Sequence, residues 1–288
     1  VFDYPYLSSS ANHIFDITLG YASGSVFSAS SNVQHSKKTN IYYQMAKMLV
    51  GHSSSGQIQK FDPDGDFSTT GDKMDSCFFI NFSRLLTKDE IKKGSFTLEL
   101  ALGRVSGNMP GTGSYLGIDT PRAKIIDYNA ASDYRVNSPA GEYSFLYITN
   151  SSGGPVKMGG DDGAGGVGPT STKVGLIYYQ AGIVVLTSSI FAPTGATFHP
   201  AGIDRGIEGH HGYIYGILNE PIRLRPDGDL SSGSLMGEDL GVLITGSSIT
   251  ASADAIRRRV YNISFNNTTE IHSRIYFCRL AHSEFNYS

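Results

Sequence analysis

The amino-acid sequence predicts a mainly β protein: a β-sandwich-like body with one or two short helices and long glycine-rich loops. Three observations carry that expectation. The chain of 288 residues holds 34 glycines, 17 tyrosines and 15 phenylalanines but no tryptophan, a balance suited to short aromatic strands and many turns. Two β-rich runs, Val174 to Tyr179 and Ile183 to Leu186, flank the short link Gln180-Ala181-Gly182 and read as a hairpin apolar on both faces, hence central. From Ser151 to Thr172 the chain is largely Gly, Ser and Asp, a long loop.

The elements follow in order. Residues 1–40 form an N-terminal arm with one early strand at Ile14, Ile17 and Leu19, and residues 41–288 form the body. Ile41, Met45, Met48 and Leu49 fall at helical spacing, with Gly51 at the C-terminal cap, so a short amphipathic helix spans 41–50. Phe61 to Phe67 reads as a tight acidic turn, Ser76 to Phe82 as a strand. Thr87 with Glu90 three residues on is a capping-box pattern, which places a polar helix at 87–93, ended by Gly94. Phe96, Leu98, Leu100 and Leu102 then alternate along a half-buried strand. Residues 104–140 carry turn residues throughout and read as a surface insertion; Tyr143 to Thr149 is another strand, and 151–172 a flexible loop. Beyond the hairpin, 192–212 is loop, 213–218 and 240–245 are short strands, and 251–260 is a turn or two of helix. Val260 to Phe265 and Ile271 to Leu280 form a closing strand pair about Asn266-Asn267.

Composition narrows the function. With 40% hydrophobic and 17% charged residues the chain can bury one large core or two modest ones. A formal net charge of −3, with basic residues scattered, argues against nucleic acid as a partner. No stretch reaches the roughly 18 apolar residues of a membrane-spanning helix. Cys77 and Cys278 each lie in an apolar run and read as buried free thiols; a disulfide between two core strands is the alternative and requires an oxidising compartment.

Each candidate for chemistry meets a plainer reading. Gly163 to Gly168 has the letters of a dinucleotide-binding motif, but a hairpin follows where a helix must receive the pyrophosphate. Asp62, Asp64 and Asp66 offer alternate oxygens to Ca²⁺, yet an EF-hand loop needs Gly at the sixth position and Glu at the twelfth, occupied here by Phe67 and Lys73. A solvated turn is the simpler account, and the same holds for Asp161 and Asp162. His199, His210 and His211 near Asp204 and Glu208 match no zinc spacing. Cys77 lacks polar surroundings that would activate it, and Asp89-Glu90 and Glu238-Asp239 are sequence neighbours on surface segments. No catalytic, cofactor-binding or metal-binding residue is expected.

Several phrases, kept in order over most of the chain, resemble virion structural proteins of T4-like contractile-tailed phages, especially cyanophages. They are Lys37 to Ala46, Phe79 to Leu86 with Lys92 to Phe96, Gly175 to Leu186, Arg274 to Arg279, and Glu284 to Ser288. The family pattern continues past its Phe-Asn-Tyr-Ser phrase, so the resemblance implies residues beyond Ser288. It also implies a non-enzymatic structural subunit of the tail or baseplate, in the virion after assembly in the host cytoplasm. Its partners would be other virion proteins and symmetry-related copies. A carbohydrate-binding receptor-recognition module of a tail fibre, with host glycan as ligand, is the alternative. A polysaccharide-degrading enzyme is a third reading, without an identifiable acid/base pair.

Overall fold

The computed structural model describes residues 2–3, 12–25, 27–66, 73–101, 122–149, 173–188, 242–257, 260–269 and 273–277. The strands are β1 (Phe2–Asp3), β2 (Asn12–His13), β3 (Phe15–Tyr21), β4 (Ser76–Phe82), β5 (Glu90–Ile91), β6 (Thr97–Ala101), β7 (Arg122–Ile126), β8 (Tyr134–Ser138), β9 (Gly141–Thr149), β10 (Lys173–Tyr178), β11 (Ile183–Thr187), β12 (Val260–Ser264) and β13 (Asn267–Thr268). Three helices, α1 (His35–Leu49), α2 (Arg84–Thr87) and α3 (Ile249–Arg257), and a π-helical turn at Val242–Gly246 complete the description.

A mainly β fold is thus present, built on one antiparallel sheet in the order β12-β6-β7-β9-β10-β11-β4-β3, with β8 beside β9 as its ninth strand. The β10–β11 hairpin is central, as its two apolar faces require. Val184 and Leu186 enter one core, Ile183 and Val185 the other. The turn between them, Tyr179 to Gly182, closes on the Tyr178↔Ile183 pair, with Gly182 at φ +66°. Strands β4 and β6 stand five places apart, about 24 Å across a flat sheet. Yet the rings of Phe82 on β4 and Phe96 at the start of β6 lie 6.1 Å apart. The sheet therefore curls onto itself and buries Phe78, Ile80, Phe82, Leu98 and Leu100 inside the curl, a sandwich-like interior made from one sheet.

The outer face is covered by α1. Its buried stripe is Lys38, Tyr42, Ala46 and Leu49, one residue round from the expected stripe, and Met48 is 49% exposed. Gly20 on β3 explains the rotation. A Cβ there would sit 2.7 Å from the Tyr42 nitrogen and 2.9 Å from the Lys38 carbonyl, so helix backbone rests directly on strand backbone. Tyr42 then fills the core, donating to Met74 O (2.9 Å) and accepting from Phe61 N (3.3 Å). The helix begins earlier than expected, at His35, and ends with Gly51 at φ +90° donating to Ala46 O. The boundary placed after residue 40 therefore falls inside α1, and β3 belongs to the main sheet.

Other expectations are corrected. The capping-box helix at 87–93 is absent. Ser83, accepting from Leu85 N at 3.3 Å, caps α2 one turn earlier, because Arg84 reaches Gln180 O (2.5 Å) and Thr87 packs under Gly182 at the hairpin turn. Glu90 and Ile91 pair with β13 instead. The expected insertion at 104–140 contains β7 and β8, paired along one edge of β9 in series, at Ile126↔Tyr147 and Tyr134↔Ser144. Residues 242–246 turn helically where a strand was expected, because segment 33–38 takes their carbonyls: Thr245 O from Val33 N (2.8 Å), Ile244 O from Lys38 Nζ. Lys38 Nζ also donates to Ser247 O at 2.8 Å, and Gln34 accepts from Ile249 N at the start of α3. Among the described residues the closing hairpin about Asn266-Asn267 does not form. β12 pairs with β6, β13 with β5, and 273–277 lies outside any ladder. The loop at 151–172 and the strand at 213–218 lie outside the described residues.

Two tests follow from these contacts. Gly20→Val should destabilise the fold by about 1–3 kcal/mol in denaturant unfolding, since α1 must lift from β3. Lys38 is fully buried against carbonyls, and burial lowers its pKa to about 8 from 10.5. The unfolded chain then binds more protons between pH 8 and 10.5, so this residue makes stability rise with pH across that window. Unfolding curves for wild type and Lys38→Met should therefore diverge in favour of wild type between pH 8 and 10; a constant difference would remove the effect.

Candidate functional site

Among the described residues, one group of three acidic side chains converges: the carboxylate oxygens of Asp62, Asp64 and Asp66 lie within 4.8 Å of one another. The sequence Asp62-Pro63-Asp64-Gly65-Asp66 makes this turn locally. Asp62 Oδ1 accepts from Asp64 N (3.0 Å), Asp64 Oδ1 accepts from Asp66 N (3.2 Å), and Gly65 takes φ +73°. Asp62 is buried, while Asp66 is exposed.

The turn is seated from below by β9. A Cβ on Gly65 would stand 2.8 Å from Phe145 Cζ, so the turn lies flat on that ring. Tyr143 OH, with one proton to give, donates to Asn137 Oδ1 at 2.8 Å and stands 3.1 Å from Gly65 O, to which Asn137 Nδ2 donates at 3.1 Å. Two cations flank the same ring: Lys173 Nζ is 3.7 Å and the Arg135 guanidinium 5.2 Å from its centroid. Asp133 holds Arg135 by a 2.8 Å bond.

The electrostatics follow from this enclosure. Lys73 pairs with Asp62 Oδ2, placing an ammonium on the innermost carboxylate. Burial, reinforced by a hydrogen bond to Asp64, nonetheless pushes the Asp62 carboxyl up to about 6. Asp64 is held below the ordinary carboxylate range by that same bond. Below pH 6 the pair shares a proton that Asp62 carries. The three carboxylates have the hard oxygens Ca²⁺ prefers. A metal ion would have to compete with Lys73 for the oxygen best placed to hold it.

A second charged cluster had no sequence signal. Asp127, at the end of β7, is buried and accepts from Gly94 N (2.6 Å), Phe96 N (3.0 Å) and Tyr179 OH (3.0 Å), tying the β5–β6 turn to the hairpin. Burial raises its pKa against those three donors. Beside it Lys93 pairs with Glu142 and lies 5.0 Å from the ring centroid of Tyr134 and 5.6 Å from that of Tyr179. An aspartate after a strand signals only a turn. Its inward aim depends on strands β5, β6 and β10 arriving from elsewhere in the chain.

Of the remaining candidates, Cys77 is free and buried, and its thiol donates to Met74 O (3.3 Å). Burial pushes its pKa well up, the reverse of thiolate activation. Asp89 is exposed and Glu90 half-buried on β5. Cys278, Gly163 to Gly168, Asp161, Asp162, the three histidines with Asp204 and Glu208, and Glu238-Asp239 lie outside the described residues.

Fold and site together define a mainly β protein whose described buried charges are engaged by neighbouring side chains and backbone. In comparison with known proteins, no family model, curated relative or solved structure matches the chain.

The raised Asp62 carboxyl gives a signed prediction. Its folded pKa of about 6 exceeds the ordinary 3.8, so its contribution is present below pH 3.8 and lost as pH rises through 6. Asp62→Asn lacks that dependence. The stability of wild type relative to the variant should fall between pH 4 and pH 7 by on the order of 2 kcal/mol, read from urea titrations.

Proposed function

We propose that this chain is a non-enzymatic structural subunit of a tailed-phage virion, in the tail or baseplate, acting through protein-protein interfaces. One observation carries the reading. Ile275, Tyr276 and Phe277 stand 77%, 78% and 91% exposed, three successive large apolar side chains facing water. Scattered exposed apolar residues are ordinary, but a contiguous run of this size signals a surface meant to be covered.

The charged clusters support it in kind. Asp62, Asp127 and Lys93 hold a turn, a strand junction and a ring stack in place. The ordered phrases from Lys37 to Ser288 that resemble phage virion proteins point the same way. The partners are then other virion proteins and further copies of this chain, not nucleic acid. A sugar-binding reading would use exposed rings such as Tyr128 and Tyr134. Those are already engaged, Tyr128 edge-on to Tyr147 and Tyr134 beneath Lys93.

Purified particles of a phage encoding this chain should contain it at a copy number set by tail symmetry, measured by quantitative mass spectrometry and located by electron cryo-microscopy. Particles that lack it, or isolated chain that turns over envelope polysaccharide, would overturn the reading.

A further inference from the structure

We infer that Lys73 and Asp62 are a self-modification site: in the folded chain the Lys73 amine condenses with the Asp62 carboxyl, releasing water and leaving an isopeptide bond between residues 62 and 73. This goes beyond the tail reading and does not rest on it.

The backbone brings the two reactants together. Met74 N donates to Phe61 O at 3.0 Å, so the residues flanking the pair lie side by side. Tyr42 OH clamps the same two residues, donating to Met74 O (2.9 Å) and accepting from Phe61 N (3.3 Å). One step further along each strand of this junction, Lys73 Nζ rests against Asp62 Oδ2.

Enclosure sets this pair apart. Asp62 is 1% exposed and Lys73 15%, whereas Lys60 with Asp75 and Lys93 with Glu142 are more than a fifth exposed on both sides. In water an ammonium and a carboxylate do not condense, because hydration holds both ions below the neutral amide. Burial removes that hydration and already favours the uncharged Asp62 carboxyl. Contact between the reactants also replaces an encounter with an intramolecular step, for which well-oriented groups reach effective molarities of about 10⁵–10⁸ M.

The remaining parts of an acyl transfer are in place. Nζ attacks Asp62 Cγ, the Nζ–Cγ bond forms, and Oδ1 takes the negative charge. Oδ1 accepts from Asp64 N at 3.0 Å, inside the range of about 2.7–3.1 Å for an oxyanion donor. Collapse breaks the Cγ–Oδ2 bond. Of the three protons on the ammonium, one stays on the amide nitrogen and two leave with Oδ2 as water. The Asp64 carboxylate, hydrogen-bonded to the Asp62 side chain and held below the ordinary carboxylate range, carries them one at a time and ends with the charge it began with. No oxidant or co-reactant enters.

The test uses the full chain, denatured and weighed by intact-mass spectrometry at purification and after incubation. The expected result is a species one water lighter than the sequence, its share growing with time. Trypsin does not cut after an acylated lysine, so digestion should leave Phe61 to Arg84 as one peptide, with the loss mapped across Asp62 and Lys73. Lys73→Arg keeps a cation for Asp62 without the amine, and should fold by circular dichroism at its full sequence mass. Asp64→Asn keeps the backbone donor and should slow linkage at least about 100-fold. The pH response expected above for Asp62 belongs to the unlinked form and should fade as linkage proceeds. Full sequence mass at every time would overturn the bond. So would a water loss that persists in Lys73→Arg, which marks a succinimide at Asp64-Gly65; linkage at the original rate in Asp64→Asn would overturn the role of Asp64.

Discussion

The hairpin of β10 and β11 has no polar side, and the rest of the molecule answers that constraint. Every residue of β11 and five of the six in β10 are buried, so the sheet through them must be covered twice. One cover is α1. The other is the sheet itself, curled until Phe82 meets Phe96 and Phe265, with Ile244 and Ile256 closing the open side. A single antiparallel sheet ordinarily spares one face for solvent; among the described residues this one buries both, by its own curl and by α1.

The covers are positioned by polar contacts at their rims. Lys38 ties α1 to the π-helical turn and so to α3, although among the described residues its ammonium meets only the carbonyls of Ile244 and Ser247. That arrangement is more exacting than stabilising, since a buried cation without a carboxylate is held by geometry alone. Asp127 does the same work at the opposite end, where one side chain satisfies two backbone donors of the β5–β6 connection. The acidic turn on Phe145 belongs to the same class: its carboxylates organise their own backbone before they face anything else.

What was legible in the residues was the part governed by near neighbours. Strands β4, β9, β10 and β11 announce themselves through unbroken apolar runs, β6 through alternation, and Gly51 and Gly182 mark an end and a turn as their positive φ values demand. The parts that escaped are governed by distant partners. Thr87 and Glu90 have the spacing of a cap, but the hairpin turn claims Thr87 and β13 claims Glu90. Arg122 to Ile126 looks irregular until β6 and β9 arrive on either side. The stripe of α1 is displaced by one residue because Gly20, fourteen residues before Gln34, admits backbone where a side chain would stand. Within the candidate site the three aspartates were visible as a turn; Phe145 beneath them, like the Asp127 hub, was not, because no spacing relates them.

The tether of Lys38 spans 206 residues to Ile244 and 209 to Ser247. During synthesis at about 5–20 residues per second, the amino-terminal helix therefore waits on the order of 10–40 s for the carbonyls that will receive its ammonium. Strand β6 waits almost as long for β12, which arrives some 160 positions later. The hairpin and its neighbours can assemble as they emerge from the ribosome, while the seam that locks helix to sheet closes only once Ile244 and Ser247 have followed them. A nascent chain arrested before residue 244 would hold a nearly finished sheet with helix α1 unlatched.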